Sequence, residues 1–115
     1  MEHTMKDLPD QALDQIAAYF QALSEPTRLK ILNLLREQER SVGELAQLTG
    51  YSAANVSRHL SYLAQRGIVQ REGRGVSVFY RIGDASIYAL CDLVCANIAR
   101  QYAQSSDARA MFTPA

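Results

Sequence analysis

The sequence predicts a mainly α chain carrying one β-hairpin (α+β). Three observations predict it. Apolar residues recur at helical spacing in four segments before residue 67, alternate with period two between 76 and 82, and return to helical spacing from about 85 onward. The 115 residues fit one domain, 1–115. Apolar residues make up 48% of the chain, enough to build a core. A chain this short still buries a modest fraction of its surface, so a partner subunit would help stabilise it.

Pro9 precedes the first helical segment, "DQALDQIAAYFQAL", whose Leu13, Ile16, Ala17, Phe20 and Leu23 share one face. Ser24 is expected to cap the second helix, with Pro26 in its first turn, where a missing N–H costs little. Leu29, Ile31, Leu32, Leu34 and Leu35 give that helix the broad apolar face of a core element. Ser41 and Glu44 read as an S-x-x-E capping box opening a short third helix, and Gly50 ends it. Ser52 caps the fourth helix and Gly67 closes it. Val76, Val78, Tyr80 and Ile82 then alternate with Ser77, Phe79 and Arg81. Gly73 and Gly75 mark a turn, which places Arg74 near the tip of a hairpin. Asp84 is expected to cap a last helix. A short helix, a glycine turn and a second helix form a helix-turn-helix, about 41–66. The hairpin, about 68–82, adds a wing. The C-terminal helix spans about 85–104, and the tail 105–115 has no clear period and is expected to be loose. The whole is a winged helix-turn-helix of four helices, a hairpin and a fifth helix.

Composition narrows the function classes. No apolar run is long enough to span a bilayer, and the N-terminus lacks the basic start and apolar centre of a signal peptide. A cytoplasmic location is expected, with Cys91 and Cys95 as thiols. Net charge is zero, yet residues 28–81 hold nine Lys/Arg against four Asp/Glu, while 1–27 hold one against five. That basic middle outweighs a pI of 6.7 as a guide, because phosphate binding needs local positive potential. No phosphate-cradling glycine loop, H-E-x-x-H or Ser/His/Asp set argues for an enzyme.

The stretch from Ser52 to Val69, "SAANVSRHLSYLAQRGIV", has a helical apolar stripe and no acidic residue. Val56, Leu60 and Leu63 fall on one side of a helical wheel; Ala54, Ser57, Arg58, Ser61 and Gln65 fall on the other. The outer face is small and polar at its N-terminal end, as entry into a major groove about 12 Å wide requires. Arg58 can donate two hydrogen bonds to a guanine edge. Asn55 can pair with adenine or contact a phosphate, and Ala53 and Ala54 can touch a thymine methyl. Ser52, Ser57, His59 and Tyr62 complete the expected contact set on the helix. Arg71 and Arg74 are expected to grip backbone or minor groove from the wing. A plain solvated face, or a winged helix serving protein contacts, remains the alternative.

The segments "LSEPTRLKILNLL", "SVGELAQLTGYSAANVSRHLSYLAQRGIV" and "REGRGVSVFYRI" resemble the ArsR/SmtB family of bacterial winged-helix repressors over about residues 15–100. The resemblance implies a homodimer on a palindromic DNA operator that departs when an inducer binds. It also implies pairing through the first and last helices, which matches the stripes Leu13, Ile16, Phe20 and Ile87, Leu90, Val94, Ile98. A two-fold dimer suits paired recognition helices one helical turn apart. Family members that sense metal at the third helix carry C-x-C there; this chain has Ser41 and Gly43. Those that sense zinc use Asp, His and Glu on the last helix; this chain has Asp92 alone and no histidine there. Its histidines are His3 and His59, so zinc, nickel and cobalt are not expected. Cys91 and Cys95 remain, at i and i+4 on one face of the last helix. Thiolates select soft ions, so arsenic(III), antimony(III) or another soft metal can be held by Cys91 and Cys95. Cys95 also resembles the position used by relatives that sense oxidants or reactive sulfur, though their second cysteine, near the end of the second helix, is missing. Inert packing of both thiols is the alternative, giving a regulator without a small inducer.

Overall fold

In the computed structural model, residues 3–103 and 110–114 are described. The element order is α1 (Asp10–Ala22), α2 (Pro26–Glu37), β1 (Arg40–Ser41), α3 (Val42–Thr49), α4 (Ala53–Gln65), β2 (Val69–Arg74), β3 (Ser77–Ile82) and α5 (Ser86–Gln101). The expected winged helix-turn-helix order is present, with one addition. The two-residue strand β1 pairs antiparallel with β3, so the wing is the outer part of a three-stranded sheet ordered β1-β3-β2. The chain forms two compact units, Met1–Gly83 and Asp84–Ala115.

In the first unit, local chemistry sets the helix ends. The Ser41 Oγ accepts from the Glu44 N–H at 3.1 Å, and the Glu44 carboxylate accepts from the Ser41 N–H at 2.9 Å. This is the capping box the sequence announces. Gly50 closes α3 in the left-handed region at φ 79°, as Gly67 does beyond α4 at φ 74°. The cap of α2 differs from expectation. Glu25 holds the N-cap position and its carboxylate accepts from the Arg28 N–H, whereas the Ser24 hydroxyl donates back to the Gln21 carbonyl. Ser24 therefore serves the carbonyl end of α1, just past its C-cap Leu23, and the longer acidic side chain reaches the free amides of α2.

The core of this unit is apolar and continuous. Ile31, Leu32 and Leu35 of α2, Leu45 of α3, Val56, Leu60 and Leu63 of α4, and Ile68, Val69 and Tyr80 beside the wing are all buried. Burial of each large aliphatic side chain contributes about 2 kcal/mol. β2 and β3 pair in register from Val69↔Ile82 to Arg74↔Ser77. The turn is Gly75-Val76, with φ 63° at Gly75 and no positive φ at Val76, the pattern of a type II′ turn. Val76 is thus a fully exposed turn residue; the strand begins at Ser77, one residue later than the alternation implies.

Gly83 lies where the sheet ends. Its N–H donates to the Ile68 carbonyl at 2.7 Å. A Cβ added there would sit 2.6 Å from the Gly67 carbonyl oxygen and 3.3 Å from that of Ile68. Both are backbone atoms that cannot rotate away. Gly83→Ala is expected to cost about 1–3 kcal/mol. Urea unfolding should show this as a lower midpoint with an unchanged slope.

The second unit is built on α5. The Asp84 carboxylate accepts from the Ser86 N–H at 2.9 Å, one step ahead of the N-cap residue Ala85. The helix ends at Gln101 rather than near 104, and residues 104–109 lie outside the described residues, as does most of the expected loose tail. Among the described residues, no helix is long and apolar enough to cross a membrane.

Candidate nucleic-acid interface

The helix α4 forms because Ser52 caps it, its Oγ accepting from the Asn55 N–H at 3.1 Å, and because Val56, Leu60 and Leu63 fix its inner side in the core. Its outer, N-terminal face is then determined by periodicity. Ser52, Ala53, Ala54, Arg58 and Ser61 are exposed, while Asn55 and Ser57 are half-buried. The Arg58 guanidinium makes one long hydrogen bond, 3.4 Å, to the Asn55 side-chain oxygen. An open cleft of about 410 Å³ separates this end of α4 from the wing. It is lined by Ser41, Val42 and Gly43, by Ala53 and Ser57, and by Val76, Ser77 and Val78. None of these side chains is charged, so the wing stands beside the recognition face across a neutral gap.

His59 and Tyr62 are half-buried on the flank of α4 beside the N-terminal end of α2. The link is Arg28. Its Nε donates to the Ala22 carbonyl at 2.7 Å and its Nη2 to the Gln21 carbonyl at 3.1 Å. Its Nη1 lies 3.3 Å from His59 Nδ1, and its guanidinium stacks 4.5 Å above the Tyr62 ring. Since Arg28 can only donate, His59 Nδ1 accepts and the ring is neutral. One side chain thus joins the carbonyl end of α1 to the flank of α4. Nothing local in the sequence marks this role, because Arg28 and His59 are 31 residues apart.

His59 is 13% exposed at its side chain and lies 3.9 Å from the Glu25 carboxylate. Burial holds its pKa below the ordinary histidine value, with Arg28 and Arg58 adding to the effect and Glu25 opposing it. The unfolded chain, with a histidine pKa of about 6.5, therefore takes up the proton first. Stability should be flat for this group above about pH 7 and fall as pH drops from about 6.5 through the lower folded value. The carboxylates of Glu25, Glu39, Glu44 and Asp84 are held below their ordinary values and titrate further down. Unfolding free energies measured between pH 7 and 5 should lose this dependence in His59→Gln.

The wing separates its two expected contacts. Side chains alternate across a strand, so Arg71, opposite Tyr80, and Arg74, opposite Ser77, project from opposite faces of the hairpin. Arg71 is exposed. Arg74 is held: Nη1 and Nη2 donate to the two Glu39 oxygens at 2.7 and 2.9 Å, and Nη2 also donates to Glu72 at 2.7 Å. Its guanidinium lies 4.5 Å over the Phe79 ring. Arg81 joins Glu72 at 3.3 Å. Its hydrogen bonds to Glu39, then to Glu72, raise the Arg74 pKa further and leave it permanently charged. Arg40 is buried, bonded to the Leu34 carbonyl and to Glu37. Of the nine cations in 28–81, then, Arg28, Arg40, Arg74 and Arg81 already serve carbonyls, carboxylates or rings, as does Lys30, 5.4 Å over the Tyr51 ring.

On α5, Cys91 is half-buried and Cys95 exposed, and neither forms a disulfide. Of the expected pairing stripe, Ile87 is buried within the chain, Leu90 and Ile98 are half-buried, and Val94 is 48% exposed. Leu93, not part of that stripe, is 69% exposed. On α1, Leu13 and Phe20 are exposed and Ile16 is half-buried. Among the described residues no three His, Cys, Asp or Glu side chains gather as a metal site. One chain supplies two sulfurs of soft character, the ligand type that thiophilic ions select.

Residues 25–71 match the family described as bacterial regulatory protein, arsR family. The chain is 36% identical over 81 residues to the probable mercury resistance operon repressor of Streptomyces lividans, covering 70% of this chain and 65% of that one. It is 32% identical over 98 residues to the biofilm growth-associated repressor of Xylella fastidiosa, covering 82% and 86%. The chain thus spans just under two thirds of the mercury repressor's length and most of the biofilm repressor's. The solution structure of the homodimeric winged helix-turn-helix DNA-binding domain of Mb0332 from Mycobacterium bovis aligns with a TM-score of 0.71 at 32% identity, covering 85% of this chain and 94% of that one. The chain belongs to the arsR family of bacterial regulatory proteins.

Proposed function

We propose that this protein is a homodimeric, sequence-specific DNA-binding repressor that seats α4 of each subunit in successive major grooves of a palindromic operator. The observation that carries the reading is the exposed face of α4. It is small at Ser52, Ala53 and Ala54, headed by Arg58, free of acidic residues, and flanked by a wing. Arg58, Asn55 and Ser57 read bases. Arg71 holds phosphate. His59 and Tyr62, on the flank of α4 beside Arg28, position the helix, and Tyr62, one turn from Arg58, borders its DNA-facing side. The homodimeric state of the Mycobacterium bovis relative supports pairing, and the exposed apolar residues of α1 and α5 supply surface for it.

Derepression runs through Cys91 and Cys95, taking arsenic(III), antimony(III) or another soft metal, or an oxidant or reactive sulfur species. The exposed thiol of Cys95, one turn from Cys91, supports it. So does the mercury in the name of the Streptomyces relative, because mercury is itself a thiophilic ion. Such an inducer releases DNA only by binding the DNA-incompetent dimer more tightly. The test begins with a duplex selected from a random library by the full chain. Arsenite or a persulfide donor should then release wild type and leave the Cys91→Ser/Cys95→Ser variant bound. Failure to select any sequence would refute the DNA reading. Selection without release by either agent would leave a regulator whose cysteines only pack.

A further inference from the structure

We infer that Glu39, in the loop between α2 and β1, is a positioning residue for the wing: it holds Arg74 away from DNA, so that phosphate must displace a carboxylate to engage it. The inference rests on the DNA-binding reading above. Glu39 and Arg74 are 35 residues apart and meet side by side, both oxygens against both terminal nitrogens at 2.7 and 2.9 Å. The pair ties the wing to the loop after α2. A phosphate offers the same acceptor geometry as a carboxylate and seeks the same donors. Three of Arg74's five N–H groups already point at Glu39 and Glu72. The remaining two, on Nε and Nη1, lie on opposite edges of the guanidinium, so a phosphate at either would take one donor and stand beside the Glu72 or the Glu39 carboxylate, which would repel it.

The two carboxylates are not equivalent. Glu72 also has Arg81 at 3.3 Å, so it keeps a cation when Arg74 leaves. The hydrogen bonds of Glu39 go to Arg74. Arg81 also attracts Glu39 through space, so the larger share, not the whole, of the cost of releasing Arg74 falls on Glu39. Because the exchange involves backbone phosphate, its effect carries no sequence information.

The test is a double-mutant cycle on duplex binding at about 0.1 M salt, using wild type, Glu39→Gln, Arg74→Ala and the double variant. Each is checked by thermal unfolding, and each is measured on a selected and a scrambled duplex. Glu39→Gln should tighten both duplexes by roughly three- to fivefold, the range of an exposed ion pair. The gain should vanish in the Arg74→Ala background. A gain that persists there would be general charge repulsion and would overturn the inference. So would unchanged binding, and so would weaker binding, which would mean that Glu39 presents Arg74 to the DNA. Wild type binding no duplex would refute the DNA reading and this inference together. Wild-type binding that Glu39→Gln leaves unaltered would refute the inference alone.

Discussion

Replacing Arg28 with alanine is expected to lower the unfolding free energy by about 2–3 kcal/mol, from loss of three hydrogen bonds and one cation–ring contact. It is also expected to weaken duplex binding beyond what that loss explains. The guanidinium touches the carbonyls of Gln21 and Ala22, the ring nitrogen of His59 and the face of Tyr62 together. The carbonyls lie at the C-terminal end of α1, where a cation is favoured by the helix dipole. His59 and Tyr62 lie along one flank of α4, between its buried stripe of Val56, Leu60 and Leu63 and the exposed Arg58, whose i+4 neighbour is Tyr62. Removing Arg28 frees both the tilt and the roll of α4 at its middle turn. A domain of ordinary stability, about 5–15 kcal/mol, stays more than nine-tenths folded after such a loss. A fall in duplex affinity at 10 °C therefore reports the placement of α4 and not unfolding. Arg28→Lys should rescue little of either property, because an ammonium cannot fork across two carbonyls and lie flat on a ring. Recovery of both by lysine would show that charge alone matters.

Elements set by neighbours in sequence were legible. The Ser41/Glu44 capping box, the glycine stops at 50 and 67 and the Ser52 cap each depend on residues within four positions, and each is found where the sequence puts it. The alternation that announced the wing gave its pairing face correctly at Tyr80. What escaped was non-local. β1 is two residues long, too short for a period, and exists because Arg40 and Ser41 meet Tyr80 and Phe79 across the fold. Its Arg40 reads as one more surface cation in "REQERS", yet it is buried between Leu34 and Glu37. The charge surplus of residues 28–81 was likewise a true total with a misleading availability. Arg28 and Arg74 find partners 31 and 35 residues away, and no window of the sequence displays such a pair. Ser24 was misassigned for a smaller reason. Either Ser24 or Glu25 offers a capping oxygen, and the choice depended on where α1 would stop.

Arg58→Ala and Arg71→Ala should separate the two kinds of contact that the interface combines. Arg58 is exposed on the outer face of α4, three residues beyond the capped Asn55, and its single bond to Asn55 is long at 3.4 Å. Such a guanidinium is free to turn toward a guanine edge, and its loss should cost about 1–3 kcal/mol at one base pair per half-site. The selected duplex should weaken by roughly tenfold or more, a scrambled duplex hardly at all, and preference at that base pair should relax. Arg71 stands on the wing face opposite Arg74, exposed and outside the lattice of Glu39, Glu72 and Arg81. Its alanine variant should weaken selected and scrambled duplexes alike and reduce the slope of log affinity against log salt by about one for each wing engaged. The pairing of results decides the matter. Equal losses on both duplexes for Arg58→Ala would make its role a phosphate contact and leave sequence reading to Asn55 and Ser57. An unchanged salt slope for Arg71→Ala would take its face of the wing off the DNA and leave phosphate contact at the wing to the Arg74 face, where Glu39 stands in the way.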